Sequence, residues 1–189
     1  IIAPEAGAAI GAAVERLDGR AKVDVSERFG ADSWPDGALL VRAIRSPHYL
    51  ADFTFVDLDG WAAAHPQIEA VITADDIAGI NEFGVIPPFA DQPALAEGTA
   101  RFRGEAVALV AGEAEWLAAA DLSGFPVNWT EREAAIEVEA ARAAGAAQLH
   151  PGREGNLLVT GRVLSGKGAD GLAGATATVR ASIETAYVE

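Results

Sequence analysis

Three glycines near the carboxyl end have the spacing of a nucleotide-binding motif. Gly166, Gly168 and Gly171 in GKGADG fit the pattern G-x-G-x-x-G, in which a tight turn brings backbone and a helix N-terminus against a pyrophosphate. That motif requires a helix directly after it, whereas residues 175–189 alternate between apolar and polar side chains, which predicts a β-strand. We therefore interpret the glycines as a loop and keep nucleotide binding only as an alternative hypothesis.

The histidines and the paired aspartates do not form a pattern typical of catalysis or metal binding. His48, His65 and His150 lie far apart in sequence, each beside a proline, without a carboxylate at metal-ligand spacing. Asp75 and Asp76 follow a predicted strand and are interpreted as a solvated turn. Cysteine is absent, and no serine lies in a nucleophile elbow. We therefore predict no catalytic residue, no cofactor-binding residue and no metal ligand within this sequence.

One loop is unusually apolar for a connecting segment. The sequence NEFGVIPPFADQP, residues 81–93, contains two phenylalanines, a valine, an isoleucine and three prolines. Loops generally run over the protein surface, so this one needs an apolar surface or ligand against it. Two interpretations stay open: the loop covers the core of its own unit, or it lies against another domain or lines an apolar cleft.

Charge and hydropathy exclude several classes of protein. The chain has 189 residues, of which 28 are acidic and 14 are Lys or Arg, giving a formal net charge of −14. Such a field repels phosphate backbones and anionic lipid surfaces, so we expect neither nucleic acid nor a membrane as partner. Apolar residues make up 50% of the chain, and no apolar run approaches the length of a membrane span. We expect a globular, cytoplasmic protein.

The elements that would position these residues are short strands and short helices, which predicts an α+β fold. Pro47 cannot donate to a sheet and should end the first long strand. Val23 and Val25 alternate with charged residues and predict a short edge strand, and Asp59 is the expected N-cap of a helix at 60–65. The main strands are predicted at ALLVRAI (38–44), ADFTFVDL (51–58), IEAVIT (68–73), ARFRGEAVALVAG (100–112) and FPVNWTE (125–131).

Composition also divides the chain. Residues 1–17 are a lead-in, 18–131 form one compact unit, and the Ala/Glu/Arg-rich stretch 132–155 is typical of a linker. Residues 156–189 contain NLLVTGRVL and the alternating segment ATATVRASIETAYVE, which predict the first strands of a second unit. The absence of an initial Met and an end within a predicted strand lead us to expect a piece of a longer chain.

Taken in order, these segments resemble the N-terminal part of the large, molybdenum-cofactor-binding subunit of the xanthine dehydrogenase/aldehyde oxidase family. The resemblance begins near residue 10 and rests on order and spacing rather than on any single piece. The matching pieces are IGAAVERLDGRAKV, ERFGAD, LLVRAIRSPH, VDLDGWAAAHPQIEAVITADDI, NEFGV, DQPALA, RFRGEAVALVAGEAEWLAAADL, VNWTE and LHPGREGNL. Val25 and Ala106 depart from that pattern, which tends to have Gly and Pro at these positions.

The resemblance implies a fold and a role for the chain. Residues 18–131 would be an α/β-hammerhead domain with mixed sheets and short helices, followed by the first strands of the molybdopterin-binding domain. The full enzyme would hydroxylate aldehydes or N-heterocycles with a molybdopterin-type molybdenum cofactor. Its partners would be the rest of the large subunit and an iron–sulfur subunit or domain, with FAD as a further candidate group. The chain itself would bind no cofactor and would be inactive alone.

The resemblance also implies which residues meet the substrate. In the family, the segment matching NEFGVIPP reaches toward the molybdenum site, and its apolar residues help to line the substrate channel. The matching residues here are Val85 and Ile86, with Phe89 as an additional candidate. The alternative from another functional class is a stand-alone hammerhead module that binds a partner without catalysis.

Overall fold

The computed structural model describes residues 15–166 and 168–186. The predicted lead-in therefore lies outside the described residues except for residues 15–17. Contacts between Cα atoms divide the chain into two units, with the boundary between Ala134 and Ala135.

The first unit consists of two small antiparallel sheets and short helices. Its helices are α1 (Gly19–Val23), α2 (Leu58–Ala63) and α3 (Ala114–Ala119). Its strands are β1 (Leu40–Arg45), β2 (Ala51–Phe55), β3 (Ile68–Ile72), β4 (Thr99–Ala100), β5 (Ala106–Gly112) and β6 (Val127–Glu131). One sheet has the order β1-β5-β3 and the other β4-β2-β6, and every pairing is antiparallel. This confirms the predicted α+β class and the five main strands.

The central strand β5 is apolar on both faces because it is covered on both. Val107 and Val110 are fully buried, and the short side chains of the adjacent Ala108 and Ala111 let neighbouring elements approach closely. Gly112 pairs with Leu40 on one side and Ile68 on the other, and a Cβ at Gly112 would collide with the backbone carbonyl of the residue before Ile68. Glycine is therefore required at this end of the strand.

Aromatic side chains of β2, α2 and β6 complete the core. Phe53 is 5% exposed, and its ring centroid lies 5.4 Å from that of Trp129 on the neighbouring strand. Phe125 contacts Trp61 of α2 edge-on, with centroids 5.0 Å apart. Such tilted and edge-to-face pairs are the favoured geometry for aromatic rings and join the second sheet to α2.

Helix α2 begins two residues earlier than the sequence indicated. Its N-cap is Asp57, whose Oδ1 accepts a hydrogen bond from the backbone N–H of Gly60 at 2.8 Å. The prediction of Asp59 as N-cap is wrong, because Leu58 is already helical and Asp59 lies in the first turn. Both carboxylates are compatible with the positive end of the helix dipole, so composition alone did not distinguish them.

The edge strand predicted around Val23 and Val25 is also wrong. Residues Gly19–Val23 form α1, which is supported by an ion pair between Lys22 and Asp18 at 2.7 Å. Val25 has φ of 64°, a left-handed conformation that a β-branched residue rarely adopts and a strand excludes. Two alternating valines are too few to specify a strand where no neighbouring strand pairs with them.

The described part of the second unit includes the short α-helices α4 (Val138–Ala141) and α5 (Gly168–Ala173). Asn156 organises its amino-terminal part: its Nδ2 donates to the carbonyls of Ala141 and Ala147 at 2.9 Å each, and its Oδ1 accepts from the Leu149 N–H at 3.0 Å. These three bonds join segments up to fifteen residues apart in sequence.

The strands expected in this second unit are wrong for the described residues. Neither 156–164 nor 175–186 forms a strand, and their side chains are almost all exposed. A strand is stable only when its backbone groups pair with a neighbour, and the described part of this unit offers none. The glycine-rich segment, predicted as a loop, includes the six-residue helix α5. No helix within the described ranges has the length and apolarity that a bilayer crossing requires.

Candidate functional site

The Arg-Ser-Pro-His segment after β1 has a structural role and not a catalytic one. Ser46 is 3% exposed, and its Oγ donates to the His48 carbonyl at 2.9 Å and accepts from the His48 N–H at 3.1 Å. Its backbone pairs with Glu105 and Gly104, and the Arg45 guanidinium donates to the Gly104 carbonyl at 2.8 Å. The strand leaves the sheet before Pro47, as predicted, because proline cannot donate to a ladder.

Three of the other polar side chains singled out in the sequence, His48, His65 and Asp76, have structural partners. His65 Nδ1 lies 2.7 Å from the Trp61 carbonyl, and His48 Nδ1 lies 3.5 Å from a Glu131 carboxylate oxygen. Asp76 Oδ2 accepts from the Thr73 N–H at 2.8 Å and so closes the turn after β3. Over residues 15–166 and 168–186, no group of three or more His, Asp or Glu side chains has an arrangement able to hold a metal ion.

Two exposed carboxyl groups outside the apolar loop have lowered pKa values. The Thr99 hydroxyl and the Arg132 guanidinium, which donate to Asp52 Oδ1 at 2.7 and 3.1 Å, hold the pKa of Asp52 below its usual value. The Ser123 N–H and hydroxyl lower the pKa of Asp121 in the same way. These groups stabilise exposed strand ends and turns.

The apolar loop begins after β3 and returns to the core just before β4. Its carboxyl-terminal end is fixed because Leu95 and Ala96 are 4% and 2% exposed, and the Ala96 N–H donates to the Ala106 carbonyl at 2.8 Å. Nearer the tip, Phe83 forms an antiparallel bridge with Gln92, with an N–H···O distance of 2.8 Å. The two arms of the loop are therefore paired.

A close backbone approach narrows the loop further. A Cβ placed on Gly84 would lie 2.7 Å from the Ala90 Cα, so only glycine fits without a shift of the opposite arm. Beyond this point the chain turns through a 3₁₀ segment, Pro87–Phe89, which is closed by a 2.8 Å bond from the Phe89 N–H to the Ile86 carbonyl. The prolines restrict the tip to few conformations.

The predicted channel residues lie at this tip. Val85 is 100% exposed and Ile86 is 55% exposed, whereas Phe89 is half-buried. The stretch 83–90 contains no ionisable side chain, and Glu82 and Asp91 are the charged residues that flank it. The structure therefore places Val85 and Ile86 on an exposed, uncharged surface and leaves Phe89 partly buried. This arrangement can exclude water from an apolar ligand but cannot transfer a proton.

Sequence reasoning missed the residues that shape the loop. Asn81 makes side-chain hydrogen bonds to three residues between Ala94 and Glu97, and Gly84 permits the close approach of the two arms. The available signals were a polar amide directly before an apolar run and a glycine within it. Neither signal identifies its partner, because the partners lie six to sixteen residues further along the chain.

Comparisons with known proteins match both the sequence and the fold. The sequence pattern described as "Aldehyde oxidase and xanthine dehydrogenase, a/b hammerhead domain" matches residues 27–133, more than half of the chain. The chain is 35% identical over 143 residues to a probable xanthine dehydrogenase subunit of Bacillus subtilis (strain 168), covering 76% of this chain and 18% of that protein.

Two further similarities come from a curated relative and a solved structure. Over 127 residues the chain is 32% identical to the nicotinate dehydrogenase large molybdopterin subunit of Eubacterium barkeri, covering 67% of this chain and 29% of that subunit. The aldehyde oxidoreductase of Desulfovibrio gigas superposes with a TM-score of 0.62 at 28% identity, over 72% of this chain and 16% of that one. The chain thus spans less than a third of the length of each of these proteins.

Proposed function

We propose, since this chain belongs to the aldehyde oxidase and xanthine dehydrogenase family, that it is the hammerhead part of a molybdenum hydroxylase large subunit. The complete enzyme would oxidise an aldehyde or an N-heterocycle. Relatives named as a xanthine dehydrogenase subunit, a nicotinate dehydrogenase subunit and an aldehyde oxidoreductase support this substrate class. Membership confirms the resemblance and the hammerhead fold inferred from the sequence.

The residues of this chain would form a wall of the substrate channel. The observation that carries this role is the uncharged tip of the loop, where Val85 and Ile86 are exposed although both are apolar. Apolar side chains exposed on an ordered loop are unfavourable in water. Covering them with a ligand or a neighbouring domain is favourable by about 25 cal/mol for each Å² of apolar surface that is buried. The role is therefore to orient an apolar substrate and keep water from it.

The described residues do not fit the molybdenum cofactor itself. The tip offers neither a charged side chain nor a metal ligand, and the part of the chain that the structure describes has no ligand cluster. We therefore place the cofactor on other parts of a longer large subunit, and the iron–sulfur clusters and any FAD on partner subunits or domains. No chemical step is assigned to a residue of this chain.

A size-discrimination experiment on the full-length holoenzyme tests the channel role. Val85→Trp and Ile86→Trp are made, and kcat/KM is measured for the smallest and the bulkiest substrate that the wild type oxidises from a panel of aldehydes and N-heterocycles. We expect the bulky substrate to lose about 1–3 kcal/mol more transition-state stabilisation than the small one, because the added indole narrows the channel.

The control substitution is Val56→Trp, at a residue that is 58% exposed and lies outside the loop. It should leave the ratio of the two kcat/KM values unchanged. Equal losses for both substrates in the loop variants would contradict the channel role, and a holoenzyme that oxidises no member of the panel would contradict the proposed reaction class.

A further inference from the structure

The carboxamide of Asn81 uses its full hydrogen-bonding capacity across the base of the apolar loop, where Asn81 lies opposite residues 94–97. Its Nδ2 donates to the Leu95 carbonyl and to Glu97 Oε1, each at 2.7 Å. Its Oδ1 accepts from the N–H groups of Ala94 at 2.9 Å and of Leu95 at 3.2 Å. An amide has two donors and one oxygen with two lone pairs, so all four positions are occupied.

These bonds tie the less buried arm of the loop to the fixed one. Leu95 is 4% exposed and Ala96 next to it is 2% exposed and bonded to β5, so the carboxyl-terminal arm is part of the core. The amino-terminal arm has no comparable burial, since Ile80 and Phe83 are 83% and 55% exposed. The side chain of Asn81 therefore links this arm directly to the buried arm.

The geometry beyond Asn81 carries that rigidity to the tip. The Phe83–Gln92 bridge and the close approach of Gly84 to Ala90 keep the two arms in one register. A displacement of the backbone at Asn81 would therefore move Val85 and Ile86 together, because the paired arms between them cannot deform independently. The position of Val85 depends on bonds made at the opposite end of the loop.

We infer that Asn81 is a positioning residue that fixes where Val85 and Ile86 are presented, and so sets how tightly the site discriminates between substrates by size. This inference rests on the proposed channel role of the loop. The proposed effect of Asn81 is indirect and requires no contact of its side chain with substrate or cofactor. Its effect is exerted through the backbone between residues 82 and 94.

The first test measures the order of the loop in the full-length holoenzyme. Hydrogen exchange is followed by mass spectrometry in peptides covering 83–90 and 92–96, for wild type, Asn81→Ala and the control Asn128→Ala, whose side chain is exposed on β6. We expect at least about tenfold faster exchange in both loop peptides for Asn81→Ala only, because the amides of Ala94 and Leu95 lose their acceptor. Unchanged exchange would overturn the assignment of Asn81.

A second variant, Asn81→Asp, separates the hydrogen bonds from the loss of side-chain volume. The introduced carboxylate can still accept from Ala94 and Leu95, but its second oxygen would face two acceptors, the Leu95 carbonyl and the Glu97 carboxylate, to which Nδ2 now donates at 2.7 Å each. At neutral pH the two negative charges repel, and on acidification a shared proton restores the contact. We expect the exchange ratio of Asn81→Asp to wild type, compared at each pH, to fall as the pH is lowered. A pH-independent ratio would overturn the clamp geometry.

The last measurement connects the loop to the substrate. For Asn81→Ala we expect the ratio of kcat/KM between the bulkiest and the smallest oxidised substrate to change by about tenfold, whereas Asn128→Ala leaves it unchanged. Faster hydrogen exchange with an unchanged ratio of the two kcat/KM values would contradict the channel role. It would still show that Asn81 holds the two arms of the loop together. Unchanged exchange would contradict the clamp whatever the ratio does.

Discussion

Asp52 connects three segments through one carboxylate oxygen. The Thr99 hydroxyl and the Arg132 guanidinium both donate to Oδ1, and together they lower the pKa of Asp52. A carboxyl group whose folded pKa is depressed contributes stability above its unfolded pKa of about 4, and this contribution is lost as the pH falls through the folded value. Asp52 therefore stabilises the β2–β4 edge at neutral pH but not in strong acid.

We predict that Asp52→Asn weakens the pH dependence of stability below about pH 4. The measurement is the midpoint of urea unfolding between pH 2 and pH 7 for the variant and the wild type. Glu133→Gln, at an exposed position outside the strands, serves as the control. A curve for Asp52→Asn that runs parallel to the wild type throughout this range would show that the two hydrogen bonds do not depend on ionisation.

The N-cap of α2 gives a second prediction for a single side chain. Asp57→Ala removes the acceptor of the Gly60 N–H, which should lower the free energy of unfolding by about 1 kcal/mol. Asp59→Ala should cost less, because Asp59 lies inside the first turn and contributes only through the helix dipole. Chemical denaturation of both variants checks the order, and a larger loss for Asp59→Ala would restore the cap position predicted from the sequence.

The value of sequence reasoning differs between side chains of the loop. The unusual apolarity of the loop and the family resemblance predict Val85, Ile86 and Phe89 as channel residues, and this role stays a prediction. The exposure of Val85 and Ile86 follows directly from their place at the tip. Asn81 and Gly84 escaped prediction because their importance depends on partners brought close only by the fold.

Among elements, the loop depends on a glycine for its shape. Gly84→Ala places a Cβ 2.7 Å from the Ala90 Cα, so one arm must move, at a cost of about 1–3 kcal/mol. Gly79→Ala is a matched control, since nothing lies within 4 Å of its Cβ position and its φ is unremarkable. We predict faster proteolysis between Phe83 and Phe89 for Gly84→Ala alone. Equal cleavage rates in the two variants would show that the close approach does not order the loop.

Helix α3 is stabilised by one fully buried side chain. Leu117 is 0% exposed and packs with Val107 and Val110 of β5, so Leu117→Ala should destabilise the domain by about 2–5 kcal/mol. Leu172→Ala, at a 68% exposed position in α5, should cost less than about 0.5 kcal/mol. Thermal unfolding followed by circular dichroism distinguishes these outcomes. Similar losses for the two variants would contradict the packing described for α3.

Elements were predictable where local pattern and long-range pairing agree. The strands β1, β2, β3, β5 and β6 each combine β-branched or aromatic residues with glycine or proline nearby, and each finds a partner within the first unit. The segments 156–164 and 175–186 carry a similar alternation but pair with no strand in the described residues. Alternation states a preference for extended backbone, and only a neighbouring strand converts it into a sheet.

For the molecule as a whole, the side chains available as metal ligands lead to an expectation about how much molybdenum the chain binds. Residues 1–189 have no cysteine, and the described residues contain no cluster of His, Asp or Glu able to hold a metal ion. We predict that this chain, produced alone, carries less than about a tenth of an equivalent of molybdenum. Elemental analysis of the purified chain measures this, with the full-length protein from the same host as the positive control. Stoichiometric molybdenum in the isolated chain would contradict the placement of the cofactor elsewhere.

In the complete enzyme, we propose, the tip of the loop faces the substrate. A structure of the full-length holoenzyme with an aromatic substrate analogue bound at the molybdenum site tests it directly. We predict that Val85 or Ile86 lies within about 4 Å of the analogue, or of the channel leading to it, and is no longer exposed to bulk solvent. A holoenzyme in which the tip remains on the outer surface, or is covered by a domain remote from the analogue, would contradict the claim.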